Sequence, residues 1–110
     1  MSPSYVLPPP VQPAAKVEGE DGTFPVRRIF CVGRNYADHV REMGGDPSDT
    51  PPVFFTKPAD ALVTVDGSGN HDAAYPPQTI DYHHEVELVI ALSSGGRNIP
   101  TDQALSTVYG

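Results

Sequence analysis

The chain has 110 residues, room for one domain and one modest hydrophobic core. Its 14 Asp and Glu against 7 Lys and Arg give a formal net charge of −7 without a basic cluster. That argues against nucleic acid but leaves room for an anionic small substrate, because local cations or a metal can reverse the sign inside a cleft. A single cysteine excludes an intrachain disulfide, and no apolar run is long enough to span a membrane. The first residues have neither the basic nor the apolar stretch of a signal peptide, so no membrane partner and a cytoplasmic location are expected.

Thirteen prolines, about twice average usage, fall in clusters and predict a loop-rich chain with short strands and few helices. Residues 1–24 are proline-rich and then acidic, an extended arm or partial strand. Residues 26–32 read as a strand that runs into Gly33, with Cys31 expected as a buried, reduced thiol without a neighbouring base. In the turn Gly33-Arg34-Asn35-Tyr36, glycine tolerates unusual backbone angles and Asn35 is the candidate cap. Residues 36–43 then read as a short helix with Tyr36, Val40 and Met43 on one face. His39 and Glu42 stand three apart on a face beside it, within reach of one another, and Gly44-Gly45 ends the helix. A helix this short is marginal alone and suits either a mobile lid or an ordinary surface helix with a solvated His/Glu pair.

Residues 46–52 form a loop. Residues 53–56 are a short apolar strand ending at Lys57-Pro58, where Lys57 either points into a cleft or snorkels to solvent. Residues 61–65 read as another strand, residues 66–70 as a turn and residues 75–79 as a break. Residues 85–92 alternate, with Val86, Leu88, Ile90 and Leu92 on one face and Glu85, Glu87, Val89 and Ala91 on the other, the period of a strand. Two glutamates on one face, about 7 Å apart by the strand rise, repel one another and resist burial. A divalent cation compensates them, and carboxylate oxygens suit Mg²⁺, Mn²⁺ or Ca²⁺ rather than Zn²⁺. Glu-x-Glu is equally at home on the solvated face of an edge strand. Residues 93–98 are a loop. Residues 99–110 read as a helix start with Thr101 as N-cap and Asp102 in its first turn. The sequence stops soon afterwards without a closing strand, and a truncated chain is expected. The class is β-rich α+β.

Three blocks in this order, Ile29-Phe30-Cys31-Val32-Gly33-Arg34-Asn35-Tyr36-Ala37-Asp38-His39, Phe54-Phe55-Thr56-Lys57-Pro58 and His83-His84-Glu85-Val86-Glu87-Leu88, resemble the N-terminal half of the fumarylacetoacetate hydrolase catalytic domain. Phe24-Pro25-Val26, Lys57-Pro58-Ala59-Asp60-Ala61 and the spacing from Tyr75-Pro76 to Tyr82-His83 look closest to its fumarylpyruvate hydrolase branch. The resemblance implies a partial mixed β-sheet roll with a short lid helix, with residues 1–24 as an arm and 25–110 as the first part of the catalytic domain. It implies Glu85 and Glu87 as metal ligands for Mg²⁺ or Mn²⁺, with Ca²⁺ a further candidate. His39 and Glu42 match the water-activating pair on the lid, and Arg34, Tyr36 and Lys57 match positions near the substrate. The family's third metal ligand, an Asp on a later strand, and a later lysine have no counterpart here, which implies that this piece alone is inactive.

The function implied is metal-dependent hydrolysis of a C–C bond in an acylpyruvate, fumarylpyruvate to fumarate and pyruvate, in aromatic breakdown. The partners implied are a small anionic diketo acid and a second copy of the full-length chain. Alternatives are an oxaloacetate or hydroxymuconate-type decarboxylase or isomerase of the same family, or a non-catalytic metal- or partner-binding piece.

Overall fold

The computed structural model describes residues 3–49, 51–65 and 71–110, so the turn expected at 66–70 lies outside the described residues. The chain divides into two compact units, one up to His71 and one from Asp72 to Gly110. The structure bears out the β-rich α+β class, but its sheets are small: two separate antiparallel pairs, both in the first unit.

Strand β1 (Ala14–Lys16) pairs with β2 (Thr23–Pro25), with Ala15 opposite Phe24. The reversal between them passes through Gly19 at φ +79°, a conformation in which a Cβ is strained. The proline-rich arm before β1 is tied to this hairpin by Gln12, whose side-chain amide donates to the carbonyls of Val26 at 2.8 Å and Pro13 at 2.9 Å.

Strand β3 (Ile29–Gly33) pairs along its whole length with β4 (Val53–Lys57), in the register Ile29 with Lys57, Cys31 with Phe55 and Gly33 with Val53. Directly opposed residues share a face. Phe30, Val32, Phe54 and Thr56 therefore line one side, and Ile29, Cys31, Phe55 and Lys57 the other. Both sides are apolar, the composition of a ladder covered on two faces, yet β4 is exposed throughout. Cys31 is half-buried rather than buried as expected. The Arg28 guanidinium covers part of the Phe30 ring, 5.5 Å from its centroid.

Between β3 and β4 runs α1 (Ala37–Glu42), with Tyr36 rather than Asn35 as its N-cap and no side-chain cap bond. The left-handed residue of the preceding turn is Arg34, at φ +59°, not Gly33. Gly33 belongs to the ladder, where the Phe55 ring packs 3.6 Å from the place a Cβ would take. Of the apolar face of α1, only Val40 is buried, while Tyr36 and Met43 are exposed. Val40 is also the one buried hydrophobic residue among those described, so the modest core expected from the length is not formed.

Residues 62–65 do not form the strand read from their sequence. A short 3₁₀ turn, Ala59–Ala61, follows Pro58 instead, and no described segment pairs with what comes after it.

The second unit departs furthest from expectation. The alternating segment 85–92 forms no ladder except at its end, where Leu92 bridges Val108, the Ala91 amide donates to the Gly110 carbonyl at 2.6 Å and the Ser93 amide to the Thr107 carbonyl at 2.8 Å. Period-two alternation selects faces, but a strand exists only where another backbone accepts its hydrogen bonds. The expected helix start forms as a 3₁₀ helix, Thr101–Thr107, capped by Pro100 rather than Thr101, with Asp102 in its first turn as foreseen.

Candidate functional site

Four of the residues singled out in the sequence follow one another along a single turn and helix of the first unit. Arg34 sits at the left-handed corner after β3. A non-glycine residue rarely adopts that conformation, which costs about 1–3 kcal/mol and concentrates at functional sites. Tyr36 caps α1. His39 and Glu42 lie one helical turn apart, with His39 Nδ1 3.9 Å from Glu42 Oε2. That separation brings the two groups into register without a hydrogen bond between them. The pairing leaves His39 Nε2 on the far edge of the ring. Both side chains reach solvent, 51% and 77% exposed, so a water can approach the imidazole.

Behind this pair, Asp38 accepts from Arg41, also three residues apart, in a surface ion pair of the kind that adds a few tenths of a kcal/mol to a short helix, about 0.3–0.5. Beyond the helix, the Asp46 carboxylate accepts from the Ser48 hydroxyl at 2.7 Å and the Ser48 backbone N–H at 2.9 Å. The hydroxyl first and the amide second hold its pKa below the usual aspartate value.

Lys57 belongs elsewhere. It pairs with Ile29 at the end of the β3–β4 ladder opposite to Gly33 and Arg34. The strand rise puts the two ends roughly 14 Å apart along the backbone. The structure therefore groups Arg34 with Tyr36, His39 and Glu42, and sets Lys57 apart from them.

Glu85 and Glu87 are in the second unit, exposed, and carry no ion pair among the described residues. Their carboxylate oxygens are the right donors for a hard divalent cation. No group of three or more His, Cys, Asp or Glu among the described residues is arranged to hold a metal. The pair fits such an ion in kind and would supply two of its ligands. Just before it, His83 Nε2 meets the Asp81 carboxylate, while Asp81 N–H donates to Thr79 Oγ1 at 3.1 Å. The Asp-x-His spacing of residues 81 to 83 brings the two side chains together.

A family model described as fumarylacetoacetate (FAA) hydrolase C-terminal matches residues 28–110. The chain belongs to the fumarylacetoacetate hydrolase family. Within it, the crystal structure of fumarylpyruvate hydrolase from Pseudomonas aeruginosa in complex with Mn²⁺ and pyruvate is similar at 50% identity and TM-score 0.93, over 97% of this chain and 46% of that one. Oxaloacetate decarboxylase, mitochondrial, of Dictyostelium discoideum is 41% identical over 85 residues, 76% of this chain and 37% of that protein. Oxaloacetate tautomerase FAHD1, mitochondrial, of Mus musculus is 42% identical over 84 residues, 76% of this chain and 36% of that protein. The chain thus spans less than half the length of these relatives. Among the described residues no helix is long and apolar enough to cross a membrane.

Proposed function

We propose that this chain carries part of the active site of a hydrolase that cleaves a C–C bond in an acylpyruvate, fumarylpyruvate to fumarate and pyruvate, as a homodimer at full length. The observation that carries the reading is the 50% identity, over 97% of this chain, to a fumarylpyruvate hydrolase whose structure holds Mn²⁺ and pyruvate.

In this reading Glu42 orients His39 through Nδ1, and His39 Nε2 takes a proton from water. The water oxygen adds to the carbonyl carbon distal to the pyruvyl end. The C–C bond then breaks, and its electron pair leaves on pyruvate as the enolate, which takes up a proton to give pyruvate. The other product is fumarate, so one water is consumed per turnover. Glu85 and Glu87 would hold Mg²⁺ or Mn²⁺, which when bound supplies Lewis-acid polarisation of the substrate's keto and carboxylate oxygens. Arg34, beside the helix, holds the far carboxylate of the dianion. Tyr36 lines the same end, and Lys57 is the weaker candidate because it stands at the other end of its strand.

A second reading, decarboxylation or tautomerisation of oxaloacetate, is favoured by relatives at 41% and 42% identity whose names carry those activities. Both readings use a 2-keto diacid and an enolate. The test grafts this chain in place of the matching segment of the Pseudomonas aeruginosa enzyme and analyses products from fumarylpyruvate and from oxaloacetate with Mn²⁺. Fumarate and pyruvate as the faster products support the hydrolase, and faster loss of oxaloacetate supports the second reading. In the graft, His39→Ala is expected to lower kcat about 10²–10⁴-fold without weakening Mn²⁺ binding. An unchanged kcat removes His39 as the base.

A further inference from the structure

We infer that Gly44 is a positioning residue for the His39–Glu42 pair, an inference that rests on the reading of that pair as the water-activating dyad. The α1 helix has six residues and no side-chain bond at its N-cap. A helix of that length does not hold itself in water. What fastens it lies at the other end. The Gly45 N–H donates to the Val40 carbonyl at 2.9 Å and the Gly44 N–H to the Arg41 carbonyl at 3.0 Å. These are the two bonds of a Schellman motif, with Met43 as C-cap and Gly44 as the left-handed residue at φ +79°. Glu42 is the last helical residue, and Val40, whose carbonyl is captured, is the buried one. The motif thus clamps the turn that carries Glu42 over His39. If that turn frays, the 3.9 Å approach between the two side chains has no backbone to maintain it.

Nothing lies within 4 Å of the place a Cβ at Gly44 would occupy. A substitution there therefore acts through the backbone angle alone. Alanine is strained in the left-handed conformation, whereas asparagine tolerates it. The two variants separate the backbone requirement from the mere loss of glycine.

The experiment has two arms. In the 110-residue chain, amide exchange at Val40, Met43 and Gly45 is measured by NMR for glycine, alanine and asparagine at position 44. In the graft, kcat and KM for fumarylpyruvate are measured for the same three residues, with His39 intact and with His39→Ala. Gly44→Ala is expected to speed exchange at these amides and to lower kcat, each by about tenfold, leaving KM within about twofold. Gly44→Asn is expected to stay within about threefold of glycine in both arms. On the His39→Ala background, Gly44→Ala is expected to change kcat less than about twofold, because the coupled group is already gone. Unaltered exchange or kcat in Gly44→Ala, asparagine no better than alanine, or an equal loss on both His39 backgrounds overturns the inference. If instead His39→Ala alone leaves kcat intact, the dyad reading fails on its own account.

Discussion

The nearness of His39 to Glu42 is legible in the sequence because an i, i+3 spacing on a helix is local, and the structure places their side chains 3.9 Å apart. The strain at Arg34 was not legible. The sequence offered Gly33 as the residue for an unusual backbone angle, but Gly33 is held in the ladder beside the Phe55 ring, which moves the left-handed corner one residue on. Asp46 supplies a pH-sensitive contact close to the helix. Its two bonds from Ser48 favour the carboxylate, so the folded pKa is lowered. Their contribution to stability is fully present above the unfolded pKa and is lost as pH falls through the lowered, folded one. Ser48→Ala removes the larger cause, and the Asp46 titration, followed by NMR of its carboxyl carbon, is expected to move up toward the ordinary aspartate value. A titration that stays where it was assigns the shift to another group.

At the scale of elements, β3, α1 and β4 were read within a few residues of their observed bounds, as was the Gly44-Gly45 stop. Each is marked by a local signal: an apolar run ending in glycine, a 3.6-residue period, or a proline after a strand. The failures are residues 61–65, a short apolar run that forms no strand, and residues 85–92, whose alternation holds as a pattern but which pair only at their end. A strand's partner lies far along the chain, and period alone does not name it. Val40 is the attachment point of α1, 5% exposed where its neighbours are open. Val40→Ala removes two methyl-sized groups and is expected to cost about 1.5 kcal/mol. The measurement is exchange at the Met43 amide, which reports on the helix itself and is expected to speed up about tenfold. An exchange rate within error of the parent would mean that α1 is held by its C-terminal cap alone.

On the scale of the whole molecule, the apolar side chains are mostly in the open. Ile80, Val86, Leu88 and Val89 of the second unit are each more than 80% exposed, as is Leu105 of its 3₁₀ helix. This exposure accompanies a chain that spans 46% of the hydrolase it resembles at TM-score 0.93. The family was therefore readable from three short motifs in order, while the core was not, because a core is a property of the complete set of packed elements. In the proposed reaction, water activated at His39 adds to the distal carbonyl of an acylpyruvate. The most direct measurement runs the graft with fumarylpyruvate in oxygen-18 water and reads the fumarate by mass spectrometry. Attack of water at the distal carbonyl places one heavy oxygen in the fumarate carboxylate formed at the cleaved bond. Fumarate that carries none, or no fumarate at all, would contradict it.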